Sequence, residues 1–499
     1  MFKIANIRAG FATNSSSSHS IVILPKGKEG SVHEVEPNGW GDGLEYGWDR
    51  FILTTPRSKM EYLATQLAMA IEHHIPDIYA RAALINDITG VDLAEYIGKD
   101  PFGYRDGDYL NASVDHQSYW SIRGFNYEDP DTVQFFKDLA AKIRQDDVVI
   151  LGGNDNENWR PPVPKGTKPF EVFTKGLDGD SRHRIIRKDQ DYYTIFDKRT
   201  GTKIRFSIKD DAAKYTKANT PELVDLKITN YCPFGCSWCY MSSTKKGVHA
   251  SLDEIKKHVD RLAELKVMEI AIGGGEPTMH PEFVQILEYI NTKGMVANFT
   301  TFSVAWLKDE RIVEAVRKYA SAIGVSVHNR KDLDKVKKIN LGVNETDYFA
   351  YFSDSDVRIM AQHVFGGTEP GETAQLLMET WEASIPLLLL GYKKTGFGAD
   401  VEPHDMSSVI ELLTFAATGN KYHANMEFLA IDTAFIKRFK PLLKKLKISP
   451  VLLSSPEGKF SMYIDAVTNK MAASSYDSPG KMVIVPESKE EFLKIWGKY

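Results

Sequence analysis

Apolar runs that alternate with amphipathic helical segments dominate the chain from about residue 222 onwards. Six strand-like runs recur, at residues 224–228, 268–272, 296–300, 323–328, 357–364 and 386–391. Ser251 and Glu254 form a capping box at the start of the first intervening helix. Strands separated by helices are typical of parallel βα units, which carry their chemistry at the carboxyl ends of the strands. We therefore expect an α/β fold with a parallel sheet.

The regions on either side of this array have less regular patterns. Thr55 and Pro56 are typical of a helix N-cap and first helical residue, and residues 148–151 are typical of a buried strand. A β-hairpin is expected at residues 192–208. We expect an N-terminal α/β accessory domain, a linker with this hairpin, the βα core and a short C-terminal α+β extension, at residues 1–160, 161–221, 222–430 and 431–499.

Composition and charge exclude several classes of protein. Hydrophobic residues make up 42% of the 499 residues, which excludes a wholly disordered chain. The 62 Lys and Arg residues nearly balance 67 Asp and Glu residues, and this argues against a protein held on nucleic acid by phosphate neutralisation. No apolar run reaches about 18 residues, and the N-terminus has no signal-peptide pattern. We expect a cytoplasmic protein without a membrane partner, and we interpret residues 435–447 as a solvated amphipathic helix.

The three cysteines lie within one short loop that follows the first strand of the array. Cys232, Cys236 and Cys239 have the spacing Cys-x3-Cys-x2-Cys, and the sequence has no others, so a disulfide framework is excluded. Three thiolates on a cubane of four irons leave one iron open to a chelating molecule. Structural zinc is an alternative, with His249 or His280 as a fourth ligand. Three incidental thiols are the remaining interpretation.

A glycine-rich turn is expected at the same edge of the sheet as the cysteine loop. Gly273, Gly274, Gly275, Glu276 and Pro277 follow the second strand. Glycines allow backbone groups to approach a ligand closely, and the Glu276 carboxylate could hold an ammonium group. Trp238 precedes the third cysteine, where its ring could pack beside the base of a bound ligand. An ordinary core tryptophan is the alternative.

CPFGCSWCY followed by GGGEP resembles the signature of the radical S-adenosylmethionine (SAM) superfamily, over about residues 222–430. The resemblance implies a partial (β/α)6 barrel and a [4Fe–4S] cluster on Cys232, Cys236 and Cys239. It also implies that SAM chelates the fourth iron through its amino and carboxylate groups. Residues implied to contact the SAM amino group are Gly274, Gly275, Glu276 and Pro277. Trp238 is implied to lie near the adenine.

The resemblance is weaker in the later strands. The third strand of many family members ends in Thr-Asn-Gly, whereas this chain has NFTTFS at residues 298–303. Thr301 and Ser303 are therefore candidates for the SAM pocket. Ser326, in the fourth strand, has a position similar to that of a polar residue that contacts the SAM ribose or carboxylate. Backbone contacts to adenine are expected near Gly391 and Tyr392.

The chemistry that the family resemblance implies belongs to the bound cofactors. A flavodoxin- or ferredoxin-type reductant supplies one electron, SAM is cleaved to methionine and a 5′-deoxyadenosyl radical, and the radical abstracts hydrogen from a substrate. The sequence assigns no catalytic acid or base. His328 and Lys393 lie near strand ends and are interpreted as a histidine whose hydrogen bonds are satisfied and a solvated lysine. Auxiliary clusters are excluded, because Ser474 and Ser475 stand where further cysteines would be useful.

The substrate class stays open at this point. A peptide or protein substrate is the first hypothesis, and a small molecule or nucleotide is the alternative. A non-catalytic zinc or nucleic-acid-binding module, or a degenerate radical SAM fold that regulates a partner, would be functions of another class. The Ser15–Ser18 run resembles the Ser-rich N-termini of uncharacterised bacterial and phage proteins. We interpret it as a polar turn, with a modification or recognition segment as the alternative.

Overall fold

The computed structural model describes residues 20–37, 44–46, 50–71, 75–99, 108–114, 126–152, 163–170, 184–189, 192–198, 201, 203–206, 217–341, 357–383, 385–418, 429–445 and 457–499. The serine run at residues 15–18 lies outside these ranges. The chain divides into two compact units, Met1–Tyr215 and Thr216–Tyr499.

The first unit combines small sheets with three helices. Its strands are β1 (Ser20–Ile23), β2 (Leu44–Tyr46), β3 (Phe51–Leu53), β4 (Ile97–Lys99), β5 (Asp108–Leu110), β6 (Ala112–Val114), β7 (Val148–Gly152), β8 (Lys168–Phe170), β9 (Arg184–Asp189), β10 (Tyr192–Asp197) and β11 (Lys203–Phe206). Its helices are α1 (Pro56–Ile71), α2 (Ile78–Thr89) and α3 (Pro130–Ile143). A four-stranded antiparallel sheet has the order β3-β7-β1-β8.

The region expected to be a linker with a hairpin differs from the prediction. β10 pairs with β11, as a hairpin would, but it also pairs with β9 to give a three-stranded sheet. Tyr193 of β10 packs edge-on against Phe135 of α3, with 5.2 Å between the ring centroids. Ile186 and Ile195 join the same core. The sheet therefore belongs to the first unit, because its apolar face is buried there.

The second unit contains the predicted βα array. Its strands are β12 (Leu223–Thr229), β13 (Glu269–Gly274), β14 (Val296–Thr301), β15 (Ala320–Ser326), β16 (Arg358–Phe365), β17 (Leu387–Gly391), β18 (Leu429–Ile431), β19 (Ser461–Asp465), β20 (Lys470–Ala472) and β21 (Val483–Ile484). Its helices are α4 (Leu252–Glu264), α5 (Phe283–Thr292), α6 (Glu310–Tyr319), α7 (Leu333–Leu341), α8 (Pro370–Glu382), α9 (Ser407–Thr418), α10 (Thr433–Lys445) and α11 (Lys489–Lys498).

All six predicted strands are present and pair in parallel. The ten-stranded sheet has the order β18-β17-β16-β15-β14-β13-β12-β19-β20-β21, so β12 to β18 follow one another in chain order. Right-handed crossovers between sequential parallel strands place the connecting helices on one face of the sheet. Residues of that face, such as Leu226 and Phe299, share one core with helix residues such as Val259 and Ile286. The α/β prediction is confirmed, while closure into a barrel stays a prediction.

The other face of the sheet is accessible. We call it the open face and define it by Asp225, Asn298, Thr300, Ser326 and Gln362, which are all partly exposed. The residues that alternate with them along the strands are buried in the core. The open face is polar, and it is the face on which a bound molecule could reach the carboxyl ends of the strands.

The C-terminal segment completes this sheet and does not form a separate extension. β19 pairs in parallel with β12, and β20 and β21 continue the sheet in antiparallel fashion. Phe492 and Trp496 of α11 are buried in the same core. α10 buries Phe435 and Leu443, as its amphipathic pattern predicts. No helix among the described residues combines the length and apolar character that crossing a membrane requires.

Candidate functional site

The cysteine loop begins where β12 ends. The Cys232 backbone N–H donates to the Thr244 carbonyl at 3.0 Å, and the Cys239 N–H donates to the Cys236 carbonyl at 3.2 Å. Gly235 lies between the first two cysteines with φ of 68°, a left-handed conformation that favours glycine. The loop therefore folds back on itself at the carboxyl end of β12, and it holds all three thiols in a partly exposed position.

The three thiols lie close enough to influence one another. Burial raises the pKa of Cys232. Burial, together with the neighbouring Cys239 and Cys232 thiolates, raises the pKa of Cys236 to about 11. Thiolates at Cys232 and Cys236 are thus unfavourable here without a cation, which an iron–sulfur core would supply. In the described ranges no three His, Cys, Asp or Glu side chains are arranged around a single ion. A four-iron cubane does not need that arrangement, because each thiolate binds a different iron.

Both histidines considered as a fourth zinc ligand have other partners. The two ring nitrogens of His280 lie 2.9 Å from the Ala250 carbonyl and 3.1 Å from the Glu282 backbone nitrogen. His249 Nδ1 lies 2.8 Å from the Thr229 hydroxyl. These histidines therefore belong to the hydrogen bonding beneath the loop, and nothing in these contacts supports the zinc interpretation.

The GGGEP turn packs directly on the cysteine loop. The Gly275 N–H donates to the Thr229 carbonyl and the Glu276 N–H to the Tyr231 carbonyl, both at 2.8 Å. A Cβ atom on Gly275 would lie 2.0 Å from the Tyr231 carbonyl oxygen, and Gly274 has φ of 119°. The two glycines are needed because two stretches of backbone approach closely here. The sequence analysis had instead explained these glycines by a close approach of their backbone to a ligand.

Both oxygens of the Glu276 carboxylate accept hydrogen bonds from other groups of the protein. Its Oε1 accepts from the Thr278 N–H (3.3 Å) and the hydroxyls of Thr278 (2.6 Å) and Thr301 (2.7 Å). Its Oε2 accepts from the Phe302 and Ser303 N–H groups at 2.9 and 3.1 Å. The carboxylate thus has internal partners in this structure, and its contact with the SAM amino group stays a prediction. Glu276 ties the end of β13 to the end of β14.

Thr301 and Ser303 support this anchor. Both residues are buried. The Thr301 hydroxyl lies 2.9 Å from the Ser303 carbonyl, in addition to its contact with Glu276, and the Ser303 hydroxyl accepts from the Ala305 N–H at 3.1 Å. Ser326 differs, because it lies on the open face with a partly exposed side chain. The structure thus brings Glu276, Thr301 and Ser303 together, and it leaves Ser326 available to a ligand.

Trp238, His328 and Phe302 form an aromatic cluster beside Cys236 that the sequence did not reveal. The Trp238 ring packs edge-on against His328, with centroids 5.1 Å apart, and Phe302 stacks on His328 at 4.5 Å. His328 Nε2 lies 3.9 Å from Cys236 Sγ. Burial lowers the pKa of His328 to about 4, so the ring is neutral at pH 7. His328 packs between two aromatic rings and is also a neighbour of a candidate cluster ligand.

Lys393 is not the solvated lysine that the sequence suggested. Its ammonium lies 4.3 Å from the ring centroid of Tyr240 and 5.1 Å from that of Tyr476. Burial opposes its charge, but Tyr240, Asp432 and Asp225 outweigh burial and the pKa of Lys393 is raised. Burial raises the pKa of Asp225 on the open face to about 6, although Lys393 opposes this shift. Asp225 and Lys393 therefore attract each other electrostatically near the cysteine loop.

The loop after β17 packs on the third cysteine. The Phe397 N–H donates to the Cys239 carbonyl at 2.9 Å. The Gly391 N–H, expected near adenine, donates to Asp432 at 2.8 Å. The Tyr392 hydroxyl donates to the Val401 carbonyl at 3.0 Å. The Phe397 contact thus joins the loop after β17 to the cysteine loop, while Gly391 and Tyr392 have partners elsewhere in the protein.

Comparison with protein families matches residues 226–370 to the radical SAM superfamily. A PqqA peptide cyclase of Bradyrhizobium diazoefficiens is 33% identical over 96 residues, which cover 19% of this chain and 25% of that protein. A GTP 3′,8-cyclase of Actinobacillus succinogenes is 36% identical over 69 residues, 13% of this chain and 20% of the enzyme. The chain thus covers about a quarter or less of the length of these relatives.

One solved structure with a similar arrangement is that of SuiB from Streptococcus suis. Its TM-score is 0.44 at 12% sequence identity, over 63% of this chain and 87% of SuiB. The similarity is low, so the assignment of the domain depends on residues 226–370.

Proposed function

The chain belongs to the radical SAM superfamily, and from this membership we propose that it is an enzyme that cleaves SAM reductively and modifies a substrate. Proteins of the family use a [4Fe–4S] cluster and SAM. The cluster, when bound, supplies the electron that splits SAM into methionine and the 5′-deoxyadenosyl radical. The observation that carries the proposal is the packing of the GGGEP turn on a loop with three cysteines.

We propose Cys232, Cys236 and Cys239 as the cluster ligands. The donor set fits, because the three thiols are partly exposed on one loop. Gly235 closes the turn between Cys232 and Cys236, so the ligand spacing is built into the backbone. The Phe397 N–H and the Cys232 N–H hold the loop at its two ends.

The SAM site is proposed at the carboxyl ends of β12 to β15. Residues that could contact SAM there are Trp238, Gly274, Gly275, Pro277 and Ser326. Glu276, Thr301 and Ser303 contribute differently in this proposal. Their hydrogen bonds hold the ends of β13 and β14 in register, which keeps the turn in place beneath the bound molecule.

A peptide is the proposed substrate. One relative, PqqA peptide cyclase, is named for a peptide. The open face offers the amide of Gln362 and the carboxylate of Asp225, which suit the carbonyl and N–H groups of a peptide. A nucleotide is the alternative, since another relative is a GTP 3′,8-cyclase. A flavodoxin- or ferredoxin-type protein is the proposed reductant.

The test is 5′-deoxyadenosine formation by anaerobically iron-reconstituted protein given SAM and a strong reductant, measured by mass spectrometry. We expect product from the wild type and none from Cys236→Ala. Ser237→Ala is the matched control, because this exposed residue lies in the same loop and should retain activity. Iron and zinc analysis accompanies the assay. Stoichiometric zinc without iron, and no product, would contradict the proposal and favour the zinc module.

A further inference from the structure

We propose that His328 donates a hydrogen bond from Nε2 to the Cys236 sulfur and thereby raises the reduction potential of the cluster, an inference that rests on the proposed function. His328 Nε2 lies 3.9 Å from Cys236 Sγ, although 92 residues separate the two in sequence. This distance is within the range of hydrogen bonds to sulfur, which are longer than those to oxygen. His328 is therefore a positioning residue that acts through a cluster ligand.

The ring of His328 is held in this orientation from both sides. Phe302 stacks on one face, with an interplanar angle of 18°, and Trp238 packs edge-on at 75°. The backbone is held as well, because the His328 N–H donates to Asp332 Oδ2 at 2.8 Å. A ring that is fixed before the cluster binds loses little entropy when it makes the hydrogen bond.

The Phe302 platform is itself held in place. The Lys335 ammonium lies 3.2 Å from the Phe302 ring centroid and pairs with Asp332 at 2.8 Å. Asp332 therefore links the platform to the backbone of His328, since it accepts the His328 N–H and binds Lys335. Phe302, Asp332 and Lys335 therefore hold the imidazole beside Cys236.

Cys232 and Cys236 differ in the hydrogen-bond donors that lie near their sulfur atoms. The backbone N–H groups of Phe234 and Gly235 stabilise the Cys232 thiolate. Cys236 also has a backbone N–H donor, its own, and in this proposal the His328 side chain is a second donor, which a substitution can remove. Hydrogen bonds to cluster sulfurs stabilise the reduced, more negative state and raise the potential. The side chain at position 328 thus contributes to the reduction potential of the cluster, and a substitution there can change that potential.

The experiment compares His328→Phe with His328→Gln in reconstituted protein without SAM. Phenylalanine keeps a ring against Phe302 and Trp238 but has no N–H group, whereas the glutamine amide keeps a donor. Midpoint potentials are measured by redox titration followed by electron paramagnetic resonance. We expect His328→Phe to be harder to reduce by about tenfold in the reduction equilibrium, or about 59 mV for a one-electron couple. His328→Gln should stay near the wild-type value.

Phe302→Leu is the control for packing. It removes the stacked ring and keeps the imidazole, so it should shift the potential less than His328→Phe. In the wild type, an exchangeable proton coupled to the reduced cluster should be detected by electron–nuclear double resonance and lost in His328→Phe.

Three results would overturn the inference. One is an unchanged potential in His328→Phe with an intact cluster. Another is an equal shift in both His328 variants, which would mark a structural role only. A strong directly bound ¹⁵N coupling from labelled histidine would also overturn it, since His328 would then be a ligand. A wild-type protein that forms no [4Fe–4S] cluster would instead refute the proposed function.

Discussion

The Thr301 hydroxyl donates to the Glu276 carboxylate at 2.7 Å, and this contact joins the ends of two neighbouring strands. The same carboxylate accepts the backbone N–H groups of Phe302 and Ser303. Because the Glu276 carboxylate accepts so many hydrogen bonds from within the protein, we infer that it stabilises the local backbone geometry of the site. The GGGEP turn is therefore held from both sides, by β14 and by the cysteine loop.

Glu276→Gln should destabilise the second unit. The glutamine amide would present a donor to N–H groups that now share an acceptor, so buried donors would lose their partners. We expect the free energy of unfolding to fall by about 3 kcal/mol, measured by urea unfolding. Glu264→Gln, an exposed residue at the end of α4, is the control and should change stability little. Full stability with weakened SAM binding would mean that Glu276 is a ligand-binding group after all.

Gly275→Ala should displace the cysteine loop. The added Cβ would lie 2.0 Å from the Tyr231 carbonyl oxygen, so one backbone stretch must move. We expect lower iron content after reconstitution and a loss of about 3 kcal/mol in stability. Gly273→Ala is a matched control two residues away, because no atom lies within 4 Å of its added Cβ. Equal iron content in the two variants would contradict the close-packing role of Gly275.

Asp225→Asn should change the pH dependence of stability. Folding raises the pKa of Asp225 from 3.8 to about 6, mainly through burial, while Lys393 and Glu457 act in opposite directions. Between about pH 4 and 6 the folded chain therefore binds more protons than the unfolded chain. The free energy of unfolding falls as pH rises through this window, and the loss is complete above the folded pKa.

In Asp225→Asn this pH dependence of the free energy of unfolding is absent. Urea unfolding should show the variant to be more stable than the wild type by up to about 3 kcal/mol at pH 7.5, with no advantage near pH 4. If Asp225→Asn is instead less stable at pH 7.5, the attraction between Asp225 and Lys393 outweighs the burial of the carboxylate.

Lys393→Met should destabilise the second unit at pH 7.5. The change leaves Asp225 and Asp432 without the nearby cation that lowers the pKa of each. We expect a loss of about 2 kcal/mol, part of which the double variant Asp225→Asn/Lys393→Met should recover. Lys394→Met is the control, since Lys394 is exposed and pairs with the exposed Glu402. Equal effects of the two lysine variants would argue against a stabilising attraction between Lys393 and these two aspartates.

The sequence was sufficient where short-range pattern decides structure. The six strands follow from apolar runs such as residues 296–300, and α4 begins at the predicted cap, Ser251. The cysteine loop and the glycine-rich turn were identified from spacing alone. These features depend on neighbours within a few residues, which a single sequence displays directly.

The remaining features depend on contacts between distant positions. The donors that occupy Glu276 include residues 25 to 27 positions away. His328 reaches Cys236 across 92 residues, and Lys393 is enclosed partly by Tyr476. Periodicity does not show which side chains meet across a sheet, so the sequence missed the internal partners of Glu276 and predicted a solvated Lys393.

The pairing of β12 with β19 has a consequence for synthesis. β12 carries the cysteine loop, yet one of its two partners begins at Ser461, more than 230 residues later in the chain. While the ribosome makes the intervening βα units, that edge of β12 has no partner from this sheet, and unpaired edges invite wrong pairing. The strand that leads into the three thiols is thus among the last parts of the unit to be secured. Loading with iron is best timed after β19 has been made and paired.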